Sequence, residues 1–225
     1  MFQGFTPESV RFLWEIRFNN ERSWFEAHKQ EYISHIQQPL RQLAAEVQQE
    51  VARRHPKLQL NVRTSRIYRD ARRLYGRGPY KDHMWLVLYR PMQDTGGRAA
   101  PVFYFEIAPE YYSIGMGYYS ATPMIMAKLR ARIDRDPAAI ERLVRPIARQ
   151  SDYRLEGELY RRPKGEKGEL IDPWYNRKNL AVCWDRPCEG SLFTPELVDE
   201  IAQGVDLLLP LFEYLSTLDA DPDPK

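Results

Sequence analysis

The apolar residues of this chain change their spacing at Leu58, and that change restricts the folds that the chain can adopt. Before Leu58 they recur every three to four residues, which is typical of amphipathic helices. From Leu58 to Tyr119 they alternate with polar residues, as in strands with one face on a core. The segments between these strands are too short for helical crossovers, so we expect antiparallel pairing. The pattern therefore predicts an α+β fold with a helical N-terminal layer.

Capping residues and helix breakers locate the predicted elements. Helices are predicted to start at Thr6-Pro7, Pro39, Pro123, Asp136-Pro137 and Thr194-Pro195. A first strand is predicted over residues 58–70, and further strands at 83–89, 102–108 and 111–119, with short ones at 153–159 and 180–184 and a loop at 91–101. We expect a single domain over residues 1–218, with an antiparallel sheet of about four to five strands, helices packed on it, and a frayed acidic tail at 219–225.

Composition excludes several classes of protein. The net charge of +2 is too small for a protein that coats nucleic acid. Cys183 and Cys188 are spaced more widely than a C-x-x-C redox motif, and no second cysteine pair supplies a zinc site. The N-terminus does not resemble a signal peptide, and no apolar run is long enough to span a bilayer. We therefore expect a cytoplasmic protein with no membrane contact, no metal and no cofactor.

The most unusual stretch is strongly basic. From Arg63 to Lys81 it contains seven Arg or Lys residues, three tyrosines and one acid, Asp70. Apolar strand formers flank it on both sides, so a fold must hold this charge in place, because disordered tails lack such residues. A single acid cannot neutralise seven bases. Either acids from distant segments or a ligand must balance the excess.

Two structural interpretations of this stretch follow from the residues. Arg66, Arg69 and Asp70 form a buried ion network that fixes the strand to the N-terminal helices, or the arginines bind an anion. In the second case Asp70 orients one guanidinium, and the backbone amides of the Gly76–Gly78 turn approach the ligand. The ligand contacts that we then predict come from Arg66, Arg69, Arg72, Tyr80 and Lys81.

The corresponding functions are also open. The basic stretch favours a phosphate-bearing or other anionic small molecule, or single-stranded nucleic acid whose bases stack on tyrosines of the sheet. An alternative is a hydrolase or transferase acting on a phosphorylated or nucleic-acid substrate, with Asp70 or His83 handling the proton. The sequence has no Walker loop, H-E-x-x-H, G-x-S-x-G or dinucleotide fingerprint. A third alternative is a protein-interaction domain whose Arg/Asp motif is a structural ion network.

The basic stretch resembles the signature of a bacterial family, the domain of unknown function 2461. That signature, R-x-x-R-D-x-R-F followed by an acid-Lys pair and then x-P-Y-K, corresponds here to Arg66, Arg69, Asp70, Arg72, Pro79, Tyr80 and Lys81. Further family elements resemble Asn19-Asn20 with Trp24-Phe25, Tyr104–Ile107 with Gly115–Gly117, and Pro163–Gly165. Arg73, Gly76 and Arg77 depart from the pattern, which has Phe, Asp or Asn, and Lys there. The resemblance implies a fold and no particular chemistry.

Overall fold

The structure, a computed structural model, describes residues 1–74, 76–91, 100–150 and 152–224. The loop predicted around Gly96-Gly97 lies outside these residues. The chain divides into two compact units. The first comprises Met1–Leu88, Tyr104–Ser113 and Asp185–Ala202, and the second comprises Tyr89–Phe103, Ile114–Trp184 and Gln203–Lys225.

The N-terminal quarter is helical, as the sequence predicts. Its elements are α1 (Pro7–Phe18), α2 (Arg22–Ala27), α3 (Lys29–Tyr32), a π-helical turn (Ile33–Gln37) and α4 (Gln38–Arg54). The Thr6 N–H donates to Ser9 Oγ at 3.0 Å, and Pro7 occupies the first helical position. The apolar stripe of α4 is buried throughout. These helices therefore form on the residues whose spacing predicts them.

Within the described residues, the sheet has six antiparallel strands in the order β1-β2-β3-β4-β6-β5. The strands are β1 (Asn61–Thr64), β2 (Met84–Tyr89), β3 (Val102–Ile107), β4 (Tyr111–Gly117), β5 (Arg154–Glu156) and β6 (Ala181–Pro187). The first four form the meander that the alternating pattern predicts. The α+β class is thus confirmed, while the sheet exceeds the expected four to five strands because β6 and the three-residue β5 extend it. Leu155 of β5 lies opposite Val182 of β6.

The remaining helices are α5 (Pro123–Arg135), α6 (Pro137–Ala148), α7 (Asp172–Tyr175) and α8 (Leu197–Ser216). In the described part of the chain, no helix combines the length and apolar character needed to cross a membrane. At the C-terminus, Asp221 Oδ2 lies 2.7 Å from Arg132 Nε, and Asp223 Oδ1 lies 3.2 Å from Lys128 Nζ. The acidic segment therefore pairs with α5. That its end is frayed stays a prediction, and so does the single domain over residues 1–218.

The prediction that the first strand continues through residues 66–70 is wrong. β1 ends at Thr64, and the described residues between it and Asp82 form a loop that we call the Arg66–Lys81 loop. Two backbone hydrogen bonds close its base, from the Lys81 N–H to the Ile67 carbonyl and from the Arg69 N–H to the Pro79 carbonyl, both at 2.8 Å. Side-chain contacts made by this loop, described below, determine its course more than the local alternation of residues does.

Candidate functional site

Asp82 is the centre of an ion-pair network in the first unit, which we call the Asp82 network. Its Oδ2 accepts a hydrogen bond from Arg17 Nε at 2.6 Å. Its Oδ1 accepts one from Arg69 Nη2 at 3.1 Å and lies 3.1 Å from His83 Nδ1. The guanidinium of Arg17 also binds Glu110, with Nη2 3.0 Å from Oε2. The network therefore links the end of α1, the Arg66–Lys81 loop and the turn between β3 and β4.

This network keeps its carboxylates ionised. Burial acts to raise the pKa of Asp82, but the hydrogen bonds from Arg17 and His83 outweigh it and lower that pKa to about 2. The hydrogen bond from Arg17 likewise lowers the pKa of Glu110. Contacts with Glu110 and Asp82 in turn raise the pKa of Arg17. The positive charge of Arg17 is therefore balanced by carboxylates of the protein.

Asn20 attaches the Arg66–Lys81 loop to the end of α1. Its Nδ2 donates to the Tyr80 carbonyl at 3.0 Å, and its Oδ1 accepts from the Tyr80 N–H at 2.9 Å. Arg69 Nε donates to the same carbonyl at 2.6 Å. A Cβ on Gly78 would lie 2.2 Å from Asn20 Oδ1. The glycine that the sequence suggested for a close ligand approach thus makes room for a side chain of the protein itself.

Three more of the residues singled out in the loop are engaged within the chain. Asp70 accepts two hydrogen bonds from the Arg72 side chain, one at Oδ1 from Nε (3.0 Å) and one at Oδ2 from Nη2 (2.9 Å). It also accepts one from the Arg72 backbone N–H, and this bond caps a 3₁₀ turn at Ala71–Arg73. Asp70 is therefore paired with Arg72 and not with Arg66. The phenol ring of Tyr80 is buried and stacks on Phe25 with centroids 4.3 Å apart.

Lys81 turns back onto the loop from which it projects. Its Nζ donates to the backbone carbonyls of Arg66 and Tyr68. Burial, assisted by the charges of Arg66 and Arg69, lowers the pKa of Lys81. Of the five predicted ligand contacts, Arg66 therefore differs from the rest, because it is exposed and has no acid partner among the described residues.

Arg66 lines a cavity of about 390 Å³ in the first unit. Ligand pockets in proteins have volumes of roughly 300–1,000 Å³. Part of the cavity wall is aromatic and apolar, with Phe25, Tyr32, Leu40, Ile67, Tyr68 and Met84. Its polar residues are Lys29, Gln37, Arg41, Thr64, Ser65 and Arg66. The lining therefore combines flat apolar surfaces with a net positive charge.

The π-helical turn contributes Ile33 and Gln37 to this wall. π-Helical turns are rare in proteins, and those that occur are often found at functional sites. Gln37 is hydrogen-bonded to Tyr32, which lies five residues earlier, and burial raises the pKa of that phenol in spite of this bond. Ser9 Oγ donates to the His35 carbonyl at 2.6 Å and so satisfies a backbone acceptor of the turn. The irregular backbone is thus supported from α1.

Arg41, on α4, provides the second guanidinium of the cavity. It is exposed, and like Arg66 it has no acid partner in residues 1–74, 76–91, 100–150 and 152–224. Its charge acts on the buried phenol of Tyr32 and opposes the rise in that pKa. Lys29 Nζ lies 3.8 Å from Glu26, and a pair this exposed contributes little. The cavity therefore carries positive charge that the described protein residues leave uncompensated.

The catalytic candidates are placed elsewhere. Asp70 and His83 do not line the cavity, and both are occupied by the contacts given above. No group of three His, Cys, Asp or Glu residues in the described ranges has the geometry to hold a metal ion. Neither Cys183 nor Cys188 forms a disulfide in the part of the chain that the structure describes. Burial raises the pKa of Cys188 to about 11, which disfavours its reactive thiolate form.

Sequence reasoning missed Arg17, Asp82 and Glu110 as members of the network, and Arg41 as a residue of the cavity. One signal was available for Asp82, which directly follows the P-Y-K motif. Asn19-Asn20, named above as a family element, directly follows α1, where Arg17 reaches Asp82 and Asn20 reaches the loop. Nothing in the sequence links Arg41 to Arg66, because only the folded chain brings α4 and the loop to one cavity.

Comparison with protein families agrees with the resemblance noted in the basic stretch. Residues 8–214 match the model of a family described as "Conserved hypothetical protein (DUF2461)". This match spans nearly the whole chain, so the chain belongs to that family. No curated protein matches the chain.

Proposed function

We propose that this DUF2461 member binds a small anionic ligand in the cavity lined by Arg41 and Arg66. The observation that carries the proposal is the presence of these two exposed guanidiniums without acid partners among the described residues. Guanidinium groups match phosphate and carboxylate groups with paired hydrogen bonds. An anion between them removes the mutual repulsion of two cations beside an apolar wall.

The aromatic lining supports a ligand with a flat or apolar body. Tyr68 is 52 % exposed, and its ring lies 6.0 Å from that of Phe25 between centroids. Such rings offer large contact areas with few rotatable bonds, so packing a ligand on them costs little entropy. An aromatic phosphate or carboxylate therefore fits the cavity better than an inorganic anion, which gains only the polar contacts.

The other residues of the motif then act by shaping the loop. Arg69 holds the Tyr80 carbonyl and Asp82, while Lys81 binds the carbonyls of Arg66 and Tyr68. Each contact reduces the freedom of the backbone that carries Arg66. A preorganised loop loses less conformational entropy when a ligand binds. In this proposal the predicted contacts of Arg69, Arg72, Tyr80 and Lys81 are with the protein rather than with the ligand.

The double variant Arg41→Ala/Arg66→Ala is expected to weaken binding of phenyl phosphate at least tenfold, since each lost charge-assisted hydrogen bond contributes about 1.5–3 kcal/mol. Isothermal titration calorimetry at low salt measures this, with benzoate and nucleoside monophosphates as further probes. Arg53→Ala is the matched control, because Arg53 is an exposed arginine of α4 that does not line the cavity. Equal affinity in the folded double variant, or no binding of any probe to the wild type, would contradict the proposal.

A further inference from the structure

A second group of cations lies in the second unit, around Tyr160. Arg130 of α5 places its Cζ 5.3 Å from the centroid of the Tyr160 ring, and Lys164 places its Nζ 4.8 Å from the same centroid. An aromatic ring attracts a cation through its quadrupole, but this attraction does not neutralise the charge. Two cations therefore share one half-buried ring and repel each other.

The charge of this region is not balanced locally. Arg161 and Arg162 are exposed, and together with Arg130 and Lys164 they have no acid partner among the described residues. Arg130 Nη1 is buried and lacks a hydrogen-bond acceptor there. The acid of α5, Asp134, already binds Lys167 Nζ at 2.7 Å.

Asp134 has a second partner besides Lys167. The hydroxyl of Tyr175 occupies Asp134 further, at 3.0 Å from its Oδ2. Within residues 160–167, Glu166 is the one acid against four bases. The excess positive charge in this segment thus remains available to an external anion.

Asn176 fixes the segment in place. Its Oδ1 accepts from the Lys164 N–H at 2.6 Å, and its Nδ2 donates to the Gly165 carbonyl at 3.0 Å. Its own carbonyl accepts from the Tyr160 N–H at 2.9 Å. Gly165 packs so closely on Tyr175 that a Cβ would lie 2.9 Å from the ring. The cations are therefore carried by a segment that needs little further ordering when it binds a ligand.

We propose that residues 160–167, together with Arg130, bind a ligand with closely spaced phosphate groups, and we call this surface the Tyr160 site. Arg130 and Lys164 contact one phosphate beside the ring, and Arg161 and Arg162 contact the phosphates next to it. Both an inorganic polyphosphate and the backbone of a single-stranded nucleic acid offer this chemistry. The Tyr160 site is separate from the cavity of Arg41 and Arg66, since no residue belongs to both.

The test measures binding of inorganic triphosphate and of a fluorescent 20-nucleotide oligothymidylate to the full chain at low salt. Arg162→Ala/Lys164→Ala is expected to weaken binding at least tenfold, and the bond from the residue 164 N–H to Asn176 is retained. For the oligonucleotide, the slope of log affinity against log salt is expected to become shallower by about 1.4, because each lost phosphate contact removes about 0.7. The control Arg142→Ala/Arg149→Ala removes the same charge from exposed positions of α6 and its C-cap.

Each outcome decides the proposal. Binding of triphosphate alone identifies a polyphosphate compound as the ligand, while tighter binding of the oligonucleotide identifies nucleic acid. No binding of either probe, or an equal loss in the α6 control, overturns the proposal. The variant Arg41→Ala/Arg66→Ala is expected to bind both probes at the Tyr160 site as the wild type does. If that variant alone loses binding, the phosphate site is the cavity and not the Tyr160 site.

Discussion

Replacement of Asp82 by alanine is expected to lower the free energy of unfolding by about 3 kcal/mol, the lower end of the cost of removing one partner from a buried ion pair, because these pairs are partly buried. The Asp82 side chain is 19 % exposed and that of Arg69 15 %. In the variant, Arg17 keeps Glu110, but Arg69 keeps only the Tyr80 carbonyl and loses its anion. Urea denaturation followed by circular dichroism measures the change.

Asp70→Ala is the matched control for this prediction. Asp70 lies in the Arg66–Lys81 loop, which Arg69 connects to Asp82, and it also pairs with an arginine, but Arg72 is 87 % exposed. Exposed pairs contribute roughly 0–1 kcal/mol, and the lost cap of the 3₁₀ turn adds about 1 kcal/mol. A loss in Asp82→Ala no larger than that in Asp70→Ala would show that the Asp82 network does not hold the loop.

The pH dependence of the stability of the wild type and of Asp82→Ala provides a separate check on the role of Asp82. Because the pKa of Asp82 falls from 3.8 to about 2 on folding, its ionised form stabilises the folded state above about pH 4. This stabilisation is lost as the pH falls through the folded pKa. The difference in unfolding free energy between wild type and Asp82→Ala is therefore expected to be constant from pH 7 to 5 and to decrease from pH 4 to 3. A difference that grows in acid would contradict the assignment.

Local periodicity was sufficient to predict the helices and the meander, because those elements bury one continuous apolar face. It failed at residues 66–70, where alternation also predicts a strand. There the side chain of Asp70 caps a turn, and Arg69 is drawn to Asp82 rather than held in a ladder. Two-residue periodicity in a charged stretch does not distinguish a strand from a loop that ion pairs hold.

The prediction of the site residues was limited for the same reason, because residue spacing does not show which distant segments are in contact. The sequence shows seven bases and one acid in the stretch, and that excess suggested a ligand. Part of the balance comes from Asp82, just beyond the stretch, and Arg17 of α1 shares that carboxylate while binding Glu110 as well. Among the described residues of the stretch, Arg66 is exposed, has no acid partner and lines the cavity. Its companion Arg41 belongs to a helix in which the sequence shows only an apolar stripe. Such pairings depend on tertiary packing, which spacing along the chain does not encode.

The second large effect on stability is expected at the contact between Asn20 and Gly78. Gly78→Ala places a methyl group where the Asn20 side chain now lies. The new Cβ of residue 78 would be 2.2 Å from Asn20 Oδ1 and 2.6 Å from Asn20 Cβ. Asn20 is short and is held at both polar atoms by Tyr80, so it moves only by breaking those hydrogen bonds. We expect a loss of about 3 kcal/mol, from one buried N–H left without an acceptor and from displaced packing. Chemical denaturation measures it.

A double-mutant cycle separates this mechanism from a general intolerance of alanine in the turn. Asn20→Ala alone is expected to cost about 2 kcal/mol, since the Tyr80 N–H loses its acceptor. In that background the Oδ1 and Cγ atoms that the methyl group of Gly78→Ala meets at 2.2 and 2.4 Å are absent and the Cβ at 2.6 Å remains, so the double variant is expected to lose less than the sum of about 5 kcal/mol. Gly76→Ala is the control, because its φ of +76° strains any alanine while its Cβ meets nothing within 4 Å. Its cost of about 1–2 kcal/mol is expected to add fully to that of Asn20→Ala. Additivity at Gly78 as well would mean that Asn20 is not the group that requires glycine there.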